Sequence, residues 1–167
     1  ILQGVHNEIQ ILTYLNRLCD TNRMFLRFYG STINENNCIL IIEDGGEWNL
    51  MQYLTYNKQN GISNEIIEYW TISLIRTFAS LDSVGITHKD IKPHNILVSY
   101  IGQTPELKII DFSVSDQKQE PNNTLDFTGI EMIQGTKGYM APEIYTAVEQ
   151  GKKETNYKPS KSDVFSL

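Results

Sequence analysis

Apolar residues recur at helical spacing at the start of the chain, where Val5, Ile9, Leu12 and Leu15 predict an amphipathic helix over residues 5–18. The pattern then shortens. Two apolar runs, residues 25–29 and Cys38–Ile42, flank Asn34-Glu35-Asn36-Asn37, a turn-forming cluster, and predict a hairpin. The second run leads into Glu43-Asp44-Gly45-Gly46, where two glycines loosen the backbone between packed bodies. Ser63 or Asn64 then caps a long helix whose first turn carries Glu65 and Glu68, favourable charges at a positive helix end. Ile67, Trp70, Leu74, Phe78 and Leu81 form its core stripe, and Gly85 ends it. A second hairpin is expected from residues 96–99 and 107–110, with Gly102 and Pro105 in its connection. Residues 146–156 read as a solvated loop. Strands and helices in this mixture predict an α+β fold.

Composition narrows the class. The 167 residues are 40% apolar, as in a globular chain able to bury a core. Fourteen basic against twenty acidic residues give a net charge of −6, which argues against a nucleic-acid or anionic-membrane partner. The longest apolar stretch near residue 40 is far too short to cross a bilayer, and no signal-peptide pattern opens the chain, so an intracellular, cytoplasmic location is expected. Cys19 and Cys38 lack a metal-ligand pattern and are expected to be reduced and packed.

The chemistry concentrates in residues 88–95, His-Lys-Asp-Ile-Lys-Pro-His-Asn. Asp90 is suited to orient or deprotonate a hydroxyl, Lys92 to neutralise a phosphoryl group, and Asn95 to offer an oxygen to magnesium, while Pro93 stiffens the turn. A polar loop ahead of a buried strand explains the same residues without chemistry. Two segments further on change the balance: Asp111-Phe112-Ser113 follows the apolar run 107–110, and Ala141-Pro142-Glu143 follows Gly135-Thr136-Lys137-Gly138-Tyr139-Met140.

In this order and at these spacings the three segments resemble the catalytic loop, the metal-binding loop and the end of the activation segment of eukaryotic protein kinases. The resemblance covers nearly the whole chain and implies a kinase-like two-lobed fold, truncated at both ends. Residues 1–42 would be the remnant of the small lobe, 43–46 the hinge, and 47–167 part of the large lobe. A glycine-rich loop, a strand lysine and further helices would lie outside, and the stretch by itself would support little catalysis.

Carried over residue by residue, the resemblance implies ATP and Mg2+ as cofactors and a protein substrate. Asp90, Lys92, Asn95 and Thr136 would be catalytic, and Asn95 and Asp111 would hold the metal. The nucleotide would meet Glu8, Ile42, Glu43, Gly45, Lys92, His94, Asn95, Leu97 and Asp111. Among these, Glu8 would pair with the strand lysine, the Glu43 carbonyl and Gly45 amide would bond adenine, Ile42 would guard the pocket and Leu97 would close it from below. Leu12, Phe28, His88 and Phe112 would form an apolar spine. Lys92 and Thr136 point to serine/threonine specificity. A pseudokinase acting as a binding or scaffold module is the alternative, and a small-molecule phosphotransferase a further one.

Two residues depart from the family pattern. Lys89 replaces an arginine and loses its planar fork, and Ser113 replaces a glycine and restricts the metal loop. Met132 stands where many kinases carry an activating phosphorylation site, with Glu131 beside it, whereas Thr124 and Thr128 offer hydroxyls earlier in the segment. On this resemblance a pairing of Lys89 with Glu131 in place of a phosphate is expected, with Glu131 as a merely solvated loop residue the alternative.

Overall fold

Among the described residues of the first helix, Ile11 and Leu15, one helical turn apart, are completely buried. This computed structural model describes residues 2–18, 23–34, 37–117 and 129–167. Cys19, Thr124, Thr128 and the middle of the expected 34–37 turn lie outside the described residues. The chain forms two compact units, one of Ile1–Thr77 with Pro93–Ser113 and one of Phe78–Lys92 with Val114–Leu167. Residues on both sides of 43–46 thus share a unit.

In the first unit, helix α1 spans Leu2–Leu15, starting earlier and ending earlier than its apolar stripe suggested. Strands β1 (Phe28–Ile33) and β2 (Cys38–Ile42) form the expected antiparallel hairpin, from Phe28↔Ile42 to Ile33↔Cys38. The expected strand at residues 25–29 is a correction. Met24, Phe25 and Leu26 are all buried, which a half-exposed strand with alternating faces cannot achieve, so strand pairing with β2 begins only at Phe28. Phe25 instead bridges Ile109, and the Ile109 amide donates to the Met24 carbonyl.

A three-stranded sheet orders β3 (Trp48–Asn49), β5 (Ile96–Ile101) and β6 (Thr104–Ile109), and the β5–β6 hairpin pairs Ile96↔Ile109 through Ile101↔Thr104. Gly102, at φ +62°, turns the chain. Pro105, expected in the connection, lies inside β6 opposite Tyr100, and its carbonyl accepts from Trp70 Nε1 at 2.8 Å. Helix α2 (Leu50–Tyr56) opens with a capping box in which Asn49 Oδ1 accepts from the Gln52 amide and Gln52 Oε1 accepts from the Asn49 amide. Helix α3 (Asn64–Ser83) starts at Ser63, whose hydroxyl accepts from the Ile66 amide, and runs from the first unit into the second. Trp70, Phe78 and Leu81 are buried as expected, but Ile67, in the first turn, is 48% exposed.

The second unit pairs β4 (Ile86–Thr87) with β7 (Asp116–Gln117) and β8 (Gly129–Met132) with β9 (Glu154–Tyr157). Helices α4 (Pro142–Glu149) and α5 (Pro159–Ser166) complete it. The solvated loop expected over 146–156 is instead the end of α4 and most of β9. Its outer residues are held because Ala147 is buried and Tyr157 packs with Ala141 and Ile144 in one apolar cluster. Among the described residues no helix is long and apolar enough to cross a membrane.

Candidate active site

The second unit gathers three of the expected catalytic residues into a closed triangle. Lys92 Nζ donates to Asp90 Oδ2 and to Thr136 Oγ1, each at 2.7 Å, and Thr136 Oγ1 donates to Asp90 Oδ1, also at 2.7 Å. All three side chains are half-buried, so the carboxylate is held in one orientation while solvent can still reach it. Thr136 arrives on a segment that approaches closely: Gly135, at φ +109°, has its Cα so near the loop that a Cβ would lie 2.8 Å from the Lys89 carbonyl. Only glycine fits there.

The backbone leading into the triangle is fixed from α5. Asp163 accepts from the His88 amide at 2.6 Å and from the Lys89 amide at 2.8 Å, and Ser115 Oγ donates to the His88 carbonyl at 3.1 Å. These bonds hold Lys89 at φ +67°, a conformation that costs a residue with a side chain about 1–3 kcal/mol. Burial pushes the Asp163 carboxyl up to about 6, and the two amides and the Lys89 charge only partly counter it.

Lys89 makes two ion pairs, with Asp116 on β7 and with Glu131 on β8, the latter at 3.2 Å. Its side chain is 4% exposed, against 52% for Asp116 and 25% for Glu131. Burial alone would lower the ammonium's pKa. The hydrogen bond and charge of Asp116, and then the charge of Glu131, outweigh burial and raise it. The expected Lys89–Glu131 pair is present, and Asp116, which the sequence did not single out, shares it.

The first unit holds the residues expected around a nucleotide and metal. Gly45 is buried, and a Cβ on it would meet Leu97 Cδ1 at 2.6 Å, so the loop at 43–46 lies directly against the residue expected below adenine. Glu43 fastens this loop: its amide donates to the Arg27 carbonyl at 2.8 Å and its carboxylate accepts from the Arg27 amide at 3.0 Å. Ile42 joins Glu8, Leu12, Leu26, Asp111 and Phe112 around a small cavity of about 40 Å³. His94 is exposed on the 3-10 turn Pro93–Asn95.

Asn95 is buried, and its carbonyl accepts from the Ile110 amide at 3.0 Å, which brings it beside the residue preceding Asp111. Asp111 sits at φ +67°, a conformation aspartate tolerates, and its Oδ1 accepts from the Ser113 amide at 3.4 Å and from Ser113 Oγ at 2.6 Å. Burial raises the Glu8 carboxyl, the nearby Asp111 charge adds to this, and a hydrogen bond from the Phe112 amide opposes it. The Asp111 carboxylate and the Asn95 amide oxygen are hard donors, and among the described residues no group of three or more His, Cys, Asp or Glu side chains could hold a metal by itself. That donor set fits magnesium, which keeps water and phosphate ligands and takes only one or two from protein.

Asp90, Lys92 and Thr136 are therefore together in one unit, and Glu8, Ile42, Glu43, Gly45, Asn95, Leu97 and Asp111 belong to the other. Of the expected spine residues, His88 and Phe112 are fully buried and Leu12 and Phe28 half-buried. Asp163 and Asp116 escaped sequence reading. Asp163 sits in a helix with no motif around it, and Asp116 in a polar run, so only the chain's long-range return shows what each touches.

Comparison with known proteins follows the same lines. The protein kinase domain model matches residues 2–167. The chain is 35% identical over 143 residues to the dual specificity protein kinase YAK1 of Saccharomyces cerevisiae, covering 84% of this chain and 16% of that protein. It is 30% identical over 140 residues to an Aurora kinase of Schizosaccharomyces pombe, covering 81% of this chain and 37% of that one. A probable serine/threonine protein kinase, IRE4 of Arabidopsis thaliana, is 30% identical over 172 residues, covering 87% and 16%. The chain thus spans from about a sixth to little more than a third of the length of these relatives.

Proposed function

Because the chain belongs to the protein kinase family, we propose that it carries the phosphoryl-transfer residues of a serine/threonine kinase, moving the γ-phosphoryl group of ATP to a hydroxyl of a protein substrate. The observation that carries this reading is the Asp90–Lys92–Thr136 triangle. In it, Asp90 accepts the proton of the incoming hydroxyl. Lys92, already beside it, offsets negative charge on the phosphoryl oxygens as the bond to the leaving group breaks. Thr136 keeps Asp90 aimed and forms a wall against which a serine or threonine side chain is placed.

On this reading Asn95 and Asp111 hold magnesium, which would offset phosphate charge when bound. Gly45 and Leu97 flank adenine, and Glu8 orients the lysine that meets the phosphates. Lys89, paired with Asp116 and Glu131, ties β7 to β8 without a phosphate.

The test is Asp90→Asn in the complete protein. Phosphoryl transfer to a protein substrate should fall by about 10²–10⁴-fold while the ATP dissociation constant stays unchanged, since Asp90 acts on the hydroxyl and not on the nucleotide. Phosphoamino-acid analysis of the product should show phosphoserine or phosphothreonine. Full activity in the variant would defeat the assignment. One observation favours the second reading, a catalytically impaired binding module: Ser113 Oγ occupies an oxygen of Asp111. ATP binding that is indifferent to magnesium, with no transfer by the complete protein, would decide for that reading.

A further inference from the structure

A cavity of about 380 Å³ opens in the first unit between α2 and the β3–β5 edge, lined in part by Gly46 of the 43–46 loop. Its walls are Trp48, Tyr53, Tyr56 and Tyr100, with Glu47 and Asn57 at the margin. The rings are arranged as a corner. Trp48 meets Tyr56 at a centroid distance of 4.6 Å and an angle of 71°, and Tyr53 at 6.3 Å and 65°. The Tyr100 hydroxyl donates to that of Tyr53 at 3.4 Å. Tyr56 and Tyr100 are 69% and 56% exposed.

Trp70, edge-on to Tyr53, and Val98 are buried, whereas Tyr56 and Tyr100 stay largely exposed and so are not needed to fill the core. Their capping box and sheet pairing hold them in place: Asn49 starts α2 with two reciprocal hydrogen bonds, and Trp48 is registered against Val98. Gly46, at φ +102°, lets the chain pass so close to β5 that a Cβ there would lie 2.5 Å from the Val98 carbonyl. The site is therefore built on rigid elements. It carries one formal charge, that of Glu47, and none of its lining residues is basic.

Aromatic faces are electronegative and attract cations, and a carboxylate beside them adds to the attraction. Between the two common cationic side chains, arginine fits better. Its flat, weakly hydrated guanidinium stacks on a ring while its N–H fork reaches a carboxylate, whereas a lysine ammonium must give up a tighter hydration shell. We propose that this cavity is a docking pocket for an arginine side chain of a protein partner, with the guanidinium stacked among Trp48, Tyr56 and Tyr100 and paired with Glu47. The pocket shares no residue with the triangle or the metal loop, and the proposal does not depend on the kinase being active.

The experiment uses the complete protein and three pentapeptides, Gly-Gly-X-Gly-Gly, with X arginine, citrulline or norleucine, titrated calorimetrically. Citrulline keeps the shape of arginine and removes its charge, and norleucine keeps only the apolar stem. The arginine peptide should bind saturably and about tenfold more tightly than citrulline, the scale of a cation–π contact joined to an ion pair. Glu47→Gln should bring arginine down towards citrulline, and Tyr56→Leu should weaken arginine binding by a similar factor. Both variants should unfold at the wild-type temperature, since both side chains are exposed. Equal binding of arginine and norleucine would make the cavity an apolar groove and overturn the proposal. So would arginine binding that survives in the Glu47→Gln/Tyr56→Leu double variant, or no arginine binding at all.

Discussion

The Lys89 ammonium lies 3.2 Å from the carboxylate of Glu131, a residue forty-two positions later in the chain. Asp116 pairs with the same ammonium, so one buried cation joins the entry strand β7 and the exit strand β8 of the segment between them. A single phosphate could serve as such a tie, and in the proposed reading two carboxylates take its place here. Loss of both would leave a charge that is 4% exposed without its two paired carboxylates, a situation that costs about 3 kcal/mol.

The first prediction follows from that sharing. In the complete protein Glu131→Gln alone should lower basal activity by about threefold, because Asp116 remains, a contribution typical of a partly exposed pair. Asp116→Asn with Glu131→Gln should lower it further and reduce thermal stability. Thr124→Ala and Thr128→Ala should leave activity unchanged. The folded-state pKa of Lys89 is raised above the ordinary 10.5, so the pair's stabilisation is complete at neutral pH and is lost only as pH climbs through the raised value. A stability profile flat from pH 7 to 9 in the wild type would agree. Abolished activity in Thr128→Ala with a silent Glu131→Gln would transfer the role to phosphorylation.

Thr136 offers a second test. Thr136→Val keeps the volume but removes the hydroxyl that donates to Asp90 and accepts from Lys92, and kcat should fall by about tenfold to a hundredfold. Thr136→Ser should restore most of it. Equal rates for valine and serine would show that the hydroxyl takes no part.

Asp163 titrates where few carboxylates do. Its folded-state pKa of about 6 lies above the ordinary 3.8, so the group favours the folded state below 3.8 and loses that contribution as pH rises through about 6. Relative to Asp163→Asn, the wild type should therefore gain stability as pH falls from 6 to 4, by at most about 1.4 kcal/mol per pH unit. Paired thermal or denaturant melts across that range measure it, and parallel profiles for the two proteins would contradict the burial of a charged group there.

Ser113 is the fourth. Its hydroxyl donates to Asp111 Oδ1 at 2.6 Å, an oxygen that magnesium would otherwise have to itself. Ser113→Ala removes the donor without loosening the backbone. Magnesium-dependent ATP binding should tighten by about fivefold, the equivalent of one hydrogen bond of about 1 kcal/mol, while magnesium-free binding stays the same. Weaker magnesium-dependent binding would mean that the hydroxyl positions Asp111 for the metal and does not compete with it.

What the sequence determined by itself was local. The stripe of Trp70, Phe78 and Leu81, the β5–β6 hairpin around Gly102, and the order of the segments holding Asp90, Asp111 and Ala141 were legible because each depends on spacings within a few residues. The Lys89–Glu131 pair was legible through the family resemblance, which sets Glu131 beside the usual phosphorylation site, joined to charge matching. Tertiary structure decided the rest: Thr136 reaching Lys92 across forty-four positions, Asp163 returning across seventy-five to hold the His88 amide, and β9 adding to β8 where a loop was expected. It also decided that Ile67 faces water and that residues 24–26 turn into the core instead of joining β1. Those outcomes depend on which surfaces meet after the chain closes its long loops. No local period encodes that choice, because burial and hydrogen-bond satisfaction are settled between segments and not within them.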